Sequence, residues 1–389
     1  MPVLNRIAAF AEDMTAWRQH LHANPELGFA CHATADFIVQ RLQEFGIDQI
    51  ETGIAETGLV AVIEGQEPGP VIGLRADMDA LPIEEETGLN YGSQVPGRMH
   101  ACGHDGHVTM LLGAARYLSE TRAFRGKAAL IFQPAEENGA GAEVMVQEGI
   151  MERFGIEQVF AMHNSPGLPE GEIFTTPGPI LAAADTIEIW LDGAGGHGAL
   201  PARSRDPIPG AVALVQALQT IVSRNITAQD ELVISVTQIH AGTADNIIPE
   251  SCYICGTVRS FAPEMRDLAE RRCAEIAEGI AAAHNLAARV VYTRGYPATV
   301  NTPDEAAFAA DVAADVVGED RVDAEFGRDM GAEDFAYMLE ARPGAYLLLG
   351  AGEGPPLHNS GFDFNDRIAP IGASLFARLV ERAQPLKAP

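Results

Sequence analysis

The chain has 389 residues, enough for two domains of ordinary size. Its 54 acidic against 26 basic residues leave a net charge of −28, which repels phosphate backbones and anionic lipid and sets aside nucleic acid and membrane surfaces as partners. No apolar run approaches the roughly 18 residues of a membrane span, and the start lacks the basic-then-apolar order of an export signal, so a cytoplasmic location is expected.

In chain order, an amphipathic helix is expected over 37–45, stopped by Gly46. Short apolar runs at 59–64, 71–74, 128–132 and 159–162 read as strands, with a strong helical pattern over 107–118 between the second and third. Strands alternating with helices predict a largely parallel α/β sheet. From about Ala182 the rhythm changes to strand 186–191, helix 209–223, strands 232–239 and 252–260, helix 263–284 and strand 289–292. That β-α-β-β-α-β order predicts a ferredoxin-like unit. Cys252 and Cys255 fall on one of its strands, where residues three apart face opposite sides and cannot clamp one ion. The chain has five cysteines, and an odd number argues against a disulfide framework. After Pro297 the α/β rhythm returns with helices over 305–317 and 332–339, a strand over 345–349 and a last helix over 371–383. The expected organisation is one discontinuous α/β domain, 1–181 and 298–389, interrupted by a smaller domain at 182–297.

The densest polar cluster is MHACGHDGH at 99–107, with three histidines and a cysteine inside eight residues. Cys102, His104 and nearby carboxylates are donors for a zinc- or manganese-class ion. Helix-capping histidines are the plainer reading, but so many scarce residues in one turn favour a metal. Other ligand-type groups follow predicted strands, where open α/β sheets build their sites. They are Asp77 and Asp79 in RADMDALP, Glu136 and Glu137 in QPAEENGAG, and His163. His358 in PLHNSG joins them near the C-terminus. Adjacent Glu136 and Glu137 cannot both point one way, so one can bind metal while the other reaches a bound water. GAGGHG at 193–198 fits the G-x-G-x-x-G spacing of dinucleotide sites. Pro201, Pro207 and Pro209 bar a helix from opening directly after it, and no acidic residue follows at about 20 positions, so that reading is set aside.

Together with WRQHLHANPEL at 17–27, NIIP at 246–249, GTVRSF at 256–261 and GAEDF at 331–335, these segments resemble the dinuclear amidohydrolases of the aminoacylase and carboxypeptidase G family. The branch is that of hippurate and indole-acetyl-amino-acid hydrolases, and the likeness runs over nearly the whole chain. The resemblance implies a zinc-peptidase-like α/β catalytic domain with a mixed, mainly parallel sheet, interrupted by a ferredoxin-like lid that serves dimerisation. It implies that Cys102 bridges two divalent ions (Zn, Mn, Co or Ni), with His104, Glu137, His163 and His358 completing the set. Glu136 would be the general base, and Asp79 the carboxylate that orients a ligand histidine. His197 would be offered to the neighbouring subunit of a homodimer or dimer-based tetramer, and Asn246 and Arg259 would hold a substrate carboxylate. The implied reaction cleaves the amide of a small N-acyl amino acid, acetyl, benzoyl or similar. A dipeptidase or aminopeptidase on the same scaffold is the alternative, and an inactive metal-binding paralogue is disfavoured because Glu136 is present. Two departures stand out: Ala202-Arg203 follows Pro201 where many relatives carry histidine, and Cys31-His-Ala-Thr34 replaces a common acidic pair followed by a basic residue.

Overall fold

The computed structural model describes residues 3–387, which form two compact units. The first runs to Ile180 and resumes over Val300–Gly327 and from Asp334 onward. The second takes Leu181–Thr299 together with the short segment Arg328–Glu333, which the sequence had not set apart.

The first unit is built on an eight-stranded mixed sheet in the order Ile50–Ile54, Gly58–Glu64, Arg125–Gln133, Glu67–Asp77, Gln158–Pro166, Gly344–Gly352, Ile173–Phe174, Val322–Asp323. Its four central strands are mutually parallel. Each carries a buried apolar run, because a central parallel strand is covered on both faces. Leu130, Phe132, Leu74, Phe160 and Leu347 are all fully buried, each worth about 1.5–3 kcal/mol relative to exposure. Helix His104–Thr121 lies against Ala369–Ala383 and Ala11–Ala23, and all three contribute to one core. Helix His32–Glu44 ends beside Gly46, which turns left-handed at φ 74°.

One expected element is shorter than its pattern. The helix read over 332–339 starts only at Ala336 and runs to Ala341. Asp334 accepts hydrogen bonds from Arg75 (2.9 Å), Gln133 (2.8 Å) and the Ala142 backbone (2.9 Å), and these hold its side chain to the sheet. Asp334 opens a turn into the helix, its carbonyl accepting from the Tyr337 backbone at 3.0 Å.

The second unit is a four-stranded antiparallel sheet in the order Leu232–Ala241, Ser251–Ser260, Ala183–Asp192, Ala287–Arg294. With helices Pro207–Arg224 and Pro263–Ala283, the chain order is the β-α-β-β-α-β read from the sequence. Ile187, Ile189, Leu191, Cys252, Ile254 and Val258 alternate into the core shared with those helices. The first helix opens at Pro207, two residues earlier than expected, because Asp206 caps it by accepting from the Ile208 backbone and proline fits a first turn. Among the described residues no helix is long and apolar enough to cross a membrane.

Candidate metal centre

The parallel register sets the site. Asp77 pairs with Gln133 and Leu348 with His163, so the carboxyl ends of the central strands finish at one level. Beyond that edge the chain must turn sharply. Gly103 caps helix His104–Thr121 in the left-handed region at φ 93°, and a Cβ there would stand 2.2 Å from Asn164 Oδ1. Only glycine lets the Cys102–His104 turn press against the strand that carries His163. Ala135, also left-handed at φ 57°, swings Glu136 and Glu137 inward.

The donors then converge. Cys102 Sγ lies 3.4 Å from His163 Nε2, His104 Nε2 lies 3.9 Å from Glu137 Oε1, and His358 Nε2 lies 3.4 Å from Glu137 Oε2. Such separations are those of donors that each stand about 2.0–2.3 Å from a shared ion. His104 Nε2 and Glu137 Oε1 are buried and have no hydrogen-bond partner, a costly arrangement unless a cation sits between them. Glu136 is buried and brings an oxygen into one cluster with His104 and Glu137. All six residues predicted in this part of the chain are therefore together, and both glutamates reach the centre.

Asp79 faces His104, with its carboxylate 3.6 Å from Nδ1. His104 Nδ1 donates to the main-chain oxygen of Asp79 at 2.8 Å, which aims Nε2 at the centre. The carboxylate of Asp79 also accepts from the backbone nitrogens of Glu136 (2.9 Å) and Glu137 (3.3 Å), fixing the turn that presents both.

Three further residues were not singled out from sequence. His107 stands in one cluster with Asp77, His104 and His163, and its Nδ1 meets Asp77 at 2.5 Å and its Nε2 meets Asn164 at 2.6 Å. Arg75, buried under the site, bonds Asp77, Gln133 and Asp334. The GAEDF segment held the only signal for Asp334, and it named no role.

The local field favours positive charge. Burial pushes the His104 ring down, but Asp77, the bond to Asp79 and Glu137 outweigh it and hold the ring up at about 10. Burial would lift Asp77, yet His104, His107 and Arg75 keep its carboxyl well below the ordinary range. Burial and then His107 keep His163 well below its usual value, so its ring is neutral and its lone pair available. The Cys102 thiol is pushed up by burial and by Glu137, Glu136 and Asp77, a cost that a divalent cation reverses.

These donors fit a two-ion centre of soft and borderline ligands, and known proteins can be compared on that basis. The sequence profile of peptidase family M20/M25/M40 matches residues 73–382. The chain belongs to this family. A Campylobacter jejuni hippurate hydrolase is 40% identical over 362 residues, covering 93% of this chain and 94% of that protein. A Bacillus subtilis N-acetylcysteine deacetylase is 38% identical over 374 residues, covering 95% of this chain and 97% of that protein. Among solved structures, a B. subtilis protein described as a dinuclear metal binding peptidase from the M20 family has a TM-score of 0.84 at 35% identity, covering 97% of this chain and 99% of that one. The family fold is thus a mixed α/β sheet with an inserted unit, and this M20 chain is a metal-binding hydrolase of amide bonds.

The remaining predicted residues lie in the second unit. His197 pairs in register with Ile247, and Gly198 donates to the Asn246 carbonyl at 2.8 Å, so His197 and Asn246 share one short ribbon. They line an open depression of about 560 Å³. Arg259 is elsewhere. Strand Ser251–Ser260 begins at the base of the ribbon and carries Arg259 near its far end, about 26 Å along at the usual rise per residue. There its Nε donates to the Met330 carbonyl at 3.2 Å, and burial lowers its pKa slightly against the pull of Asp185. After the glycines come the strand Gly196–His197 and a 3-10 turn at Pro201–Arg203, not the helix of a dinucleotide site.

Proposed function

We propose that this chain hydrolyses the amide bond of N-acyl amino acids, releasing a carboxylic acid and the free amino acid. The observation that carries the reading is the placement of Glu136, buried beside His104 and Glu137 but next to the donor set that Cys102, His163 and His358 complete. Two divalent ions held by Cys102, His104, Glu137, His163 and His358 would polarise the amide carbonyl and acidify the attacking water. Glu136 takes the proton of that water and delivers it to the leaving nitrogen. Asp79 keeps Glu136 aimed through its backbone bond. Arg259 meets the substrate carboxylate with a planar fork that lysine lacks. His197 donates to the developing oxyanion, and Asn246 beside it helps to hold the substrate.

A small N-acyl amino acid does not span the length of strand Ser251–Ser260. This supports a homodimer in which His197 and Asn246 serve one substrate and Arg259 another. Ile247 and Leu200, beside His197, are 55% and 46% exposed, as a self-associating surface would be. A cytoplasmic location is part of the proposal, because all five cysteines are free and Cys102 acts as a thiol donor.

The test is a panel of N-acetyl and N-benzoyl amino acids set against dipeptides, with zinc, manganese, cobalt or nickel added. Turnover of the N-acyl compounds supports the proposal. Preference for dipeptides with a free amino terminus replaces it with a peptidase reading, and no turnover with full metal loading makes the chain an inactive paralogue.

A further inference from the structure

The segment WRQHLHANPEL at 17–27 has no part in the chemistry above, yet it buries one of the largest charged side chains of the first unit. Arg18 is 1% exposed. A buried guanidinium costs several kcal/mol unless its donors are paired. Here Nε and Nη2 donate to the two oxygens of Asp366 at 2.8 Å each, and Nη1 donates to Asp363 at 2.8 Å. Asp105 lies 3.7 Å away, the Tyr91 ring covers one face at 4.7 Å, and Tyr91 Oη donates to Asp363 at 2.7 Å.

Those partners matter for where they sit. Asp105 follows His104, while Asp363 and Asp366 end the loop that carries His358. The five donors are also unequal. Cys102, His104 and His163 are at most 9% exposed, whereas the His358 side chain is 54% exposed. His358 holds φ 62°, a strained setting for a residue with a Cβ, and its backbone nitrogen donates to Ala101 at 2.8 Å. After it the loop turns inward at Phe362 and Phe364, and a Cβ on Gly106 would stand 2.2 Å from the Phe364 ring. Arg18 then closes the loop against the helix.

We propose that Arg18 is a positioning residue of the metal centre: by pinning Asp363 and Asp366 beside Asp105, it fixes the His358 loop to the helix bearing His104 and sets how tightly the ion using His358 is held. This rests on the two-ion reading. Groups that orient ligands without touching metal commonly change affinity about 10–100-fold.

The test titrates zinc into stripped protein against a chelating indicator, and cobalt into the same protein with its absorption recorded. Wild type should bind two equivalents, and His358→Ala identifies the one that depends on the loop. Arg18→Met should weaken that equivalent about 10–100-fold while leaving the other within about threefold, with Arg18→Lys falling between. The double variant Arg18→Met/His358→Ala should bind no worse than His358→Ala alone, since both act through one ligand. With cobalt, the thiolate charge-transfer band of Cys102 should persist while the ligand-field bands of one ion fade. If Arg18→Met fails to fold, Asp363→Asn with Asp366→Asn makes the same test, because those side chains are 31% and 24% exposed. Equal weakening of both equivalents, no weakening, or additive losses in the double variant overturn the role of Arg18. A wild type that binds fewer than two equivalents overturns the two-ion reading itself, before any variant is compared.

Discussion

Glu136 and Glu137 are identical neighbours whose tasks differ only by what surrounds them. Glu137 lies between His104 and His358, 3.9 Å and 3.4 Å away, while Glu136 shares a cluster with His104 and Glu137 that does not include His358. Glu136→Gln should therefore keep both metal equivalents and lose roughly 10²–10⁴-fold in kcat, whereas Glu137→Gln should lose metal. Metal analysis beside steady-state rates checks this, and the opposite pattern would exchange the two roles. Arg259 offers a second comparison. Its replacement by Met should cost N-acyl amino acids about 10–100-fold more in kcat/KM than the corresponding amides, which carry no charge to pair. Equal losses would leave Arg259 a residue of the sheet. At this scale the sequence showed which residue types gather, but not which atom of each is used. Asp79 is one case, since its main-chain oxygen accepts from His104 Nδ1 at 2.8 Å while its carboxylate stands 3.6 Å from the same nitrogen. His107 has the same chemistry as His104 in the sequence, and only the fold shows that its two nitrogens meet Asp77 and Asn164.

Elements were legible where one physical cause set their pattern. The central strands are covered on both faces and so read as unbroken apolar runs, and the strands of the second unit have one covered face and so alternate. Helix Ala11–Ala23 escaped notice because two of its inward positions, Arg18 and His22, are polar and break the apolar period. The last two strands of the sheet order, Ile173–Phe174 and Val322–Asp323, are two residues each, too short for any period. Helix His104–Thr121 also holds a testable contact. Tyr117 Oη donates to Glu381 at 3.0 Å, joining this helix to Ala369–Ala383. Burial and then Glu381 push the Tyr117 phenol up to about 12. Because the folded value lies above the unfolded value of about 10, the contribution is complete below pH ~10 and is lost as pH rises toward 12. Tm should therefore fall more steeply over that window in wild type than in Tyr117→Phe. Parallel curves would mean that Glu381 does not hold the hydroxyl.

At the scale of the whole molecule, the division into a discontinuous α/β part and a contiguous insert was readable from the change of rhythm near Ala182, whereas the attachment of Arg328–Glu333 to the insert was not, since it rests on contacts made far along the chain. The proposed exchange of His197 between subunits has a quantitative consequence. Inactive His197→Ala and inactive Glu136→Ala proteins, refolded together in equal amounts, should recover roughly a quarter of wild-type activity, because half the dimers are hybrids with one intact site of two. Verified subunit exchange with no recovery would exclude sharing. The insert also orders events on the ribosome. Cys102, His104, Glu137 and His163 all precede it, while His358 and strand Gly344–Gly352 follow it, roughly 200 residues or about 10–40 s later at ordinary elongation rates. Through that interval strand Gln158–Pro166 lacks one of its two parallel neighbours, leaving an apolar edge open while the insert, contiguous but for Arg328–Glu333, forms its own sheet. A nascent chain stalled before residue 344 thus already holds four of its five proposed metal donors beside a strand paired on one side only, the point in its synthesis at which a chaperone or an early-bound cation would matter most.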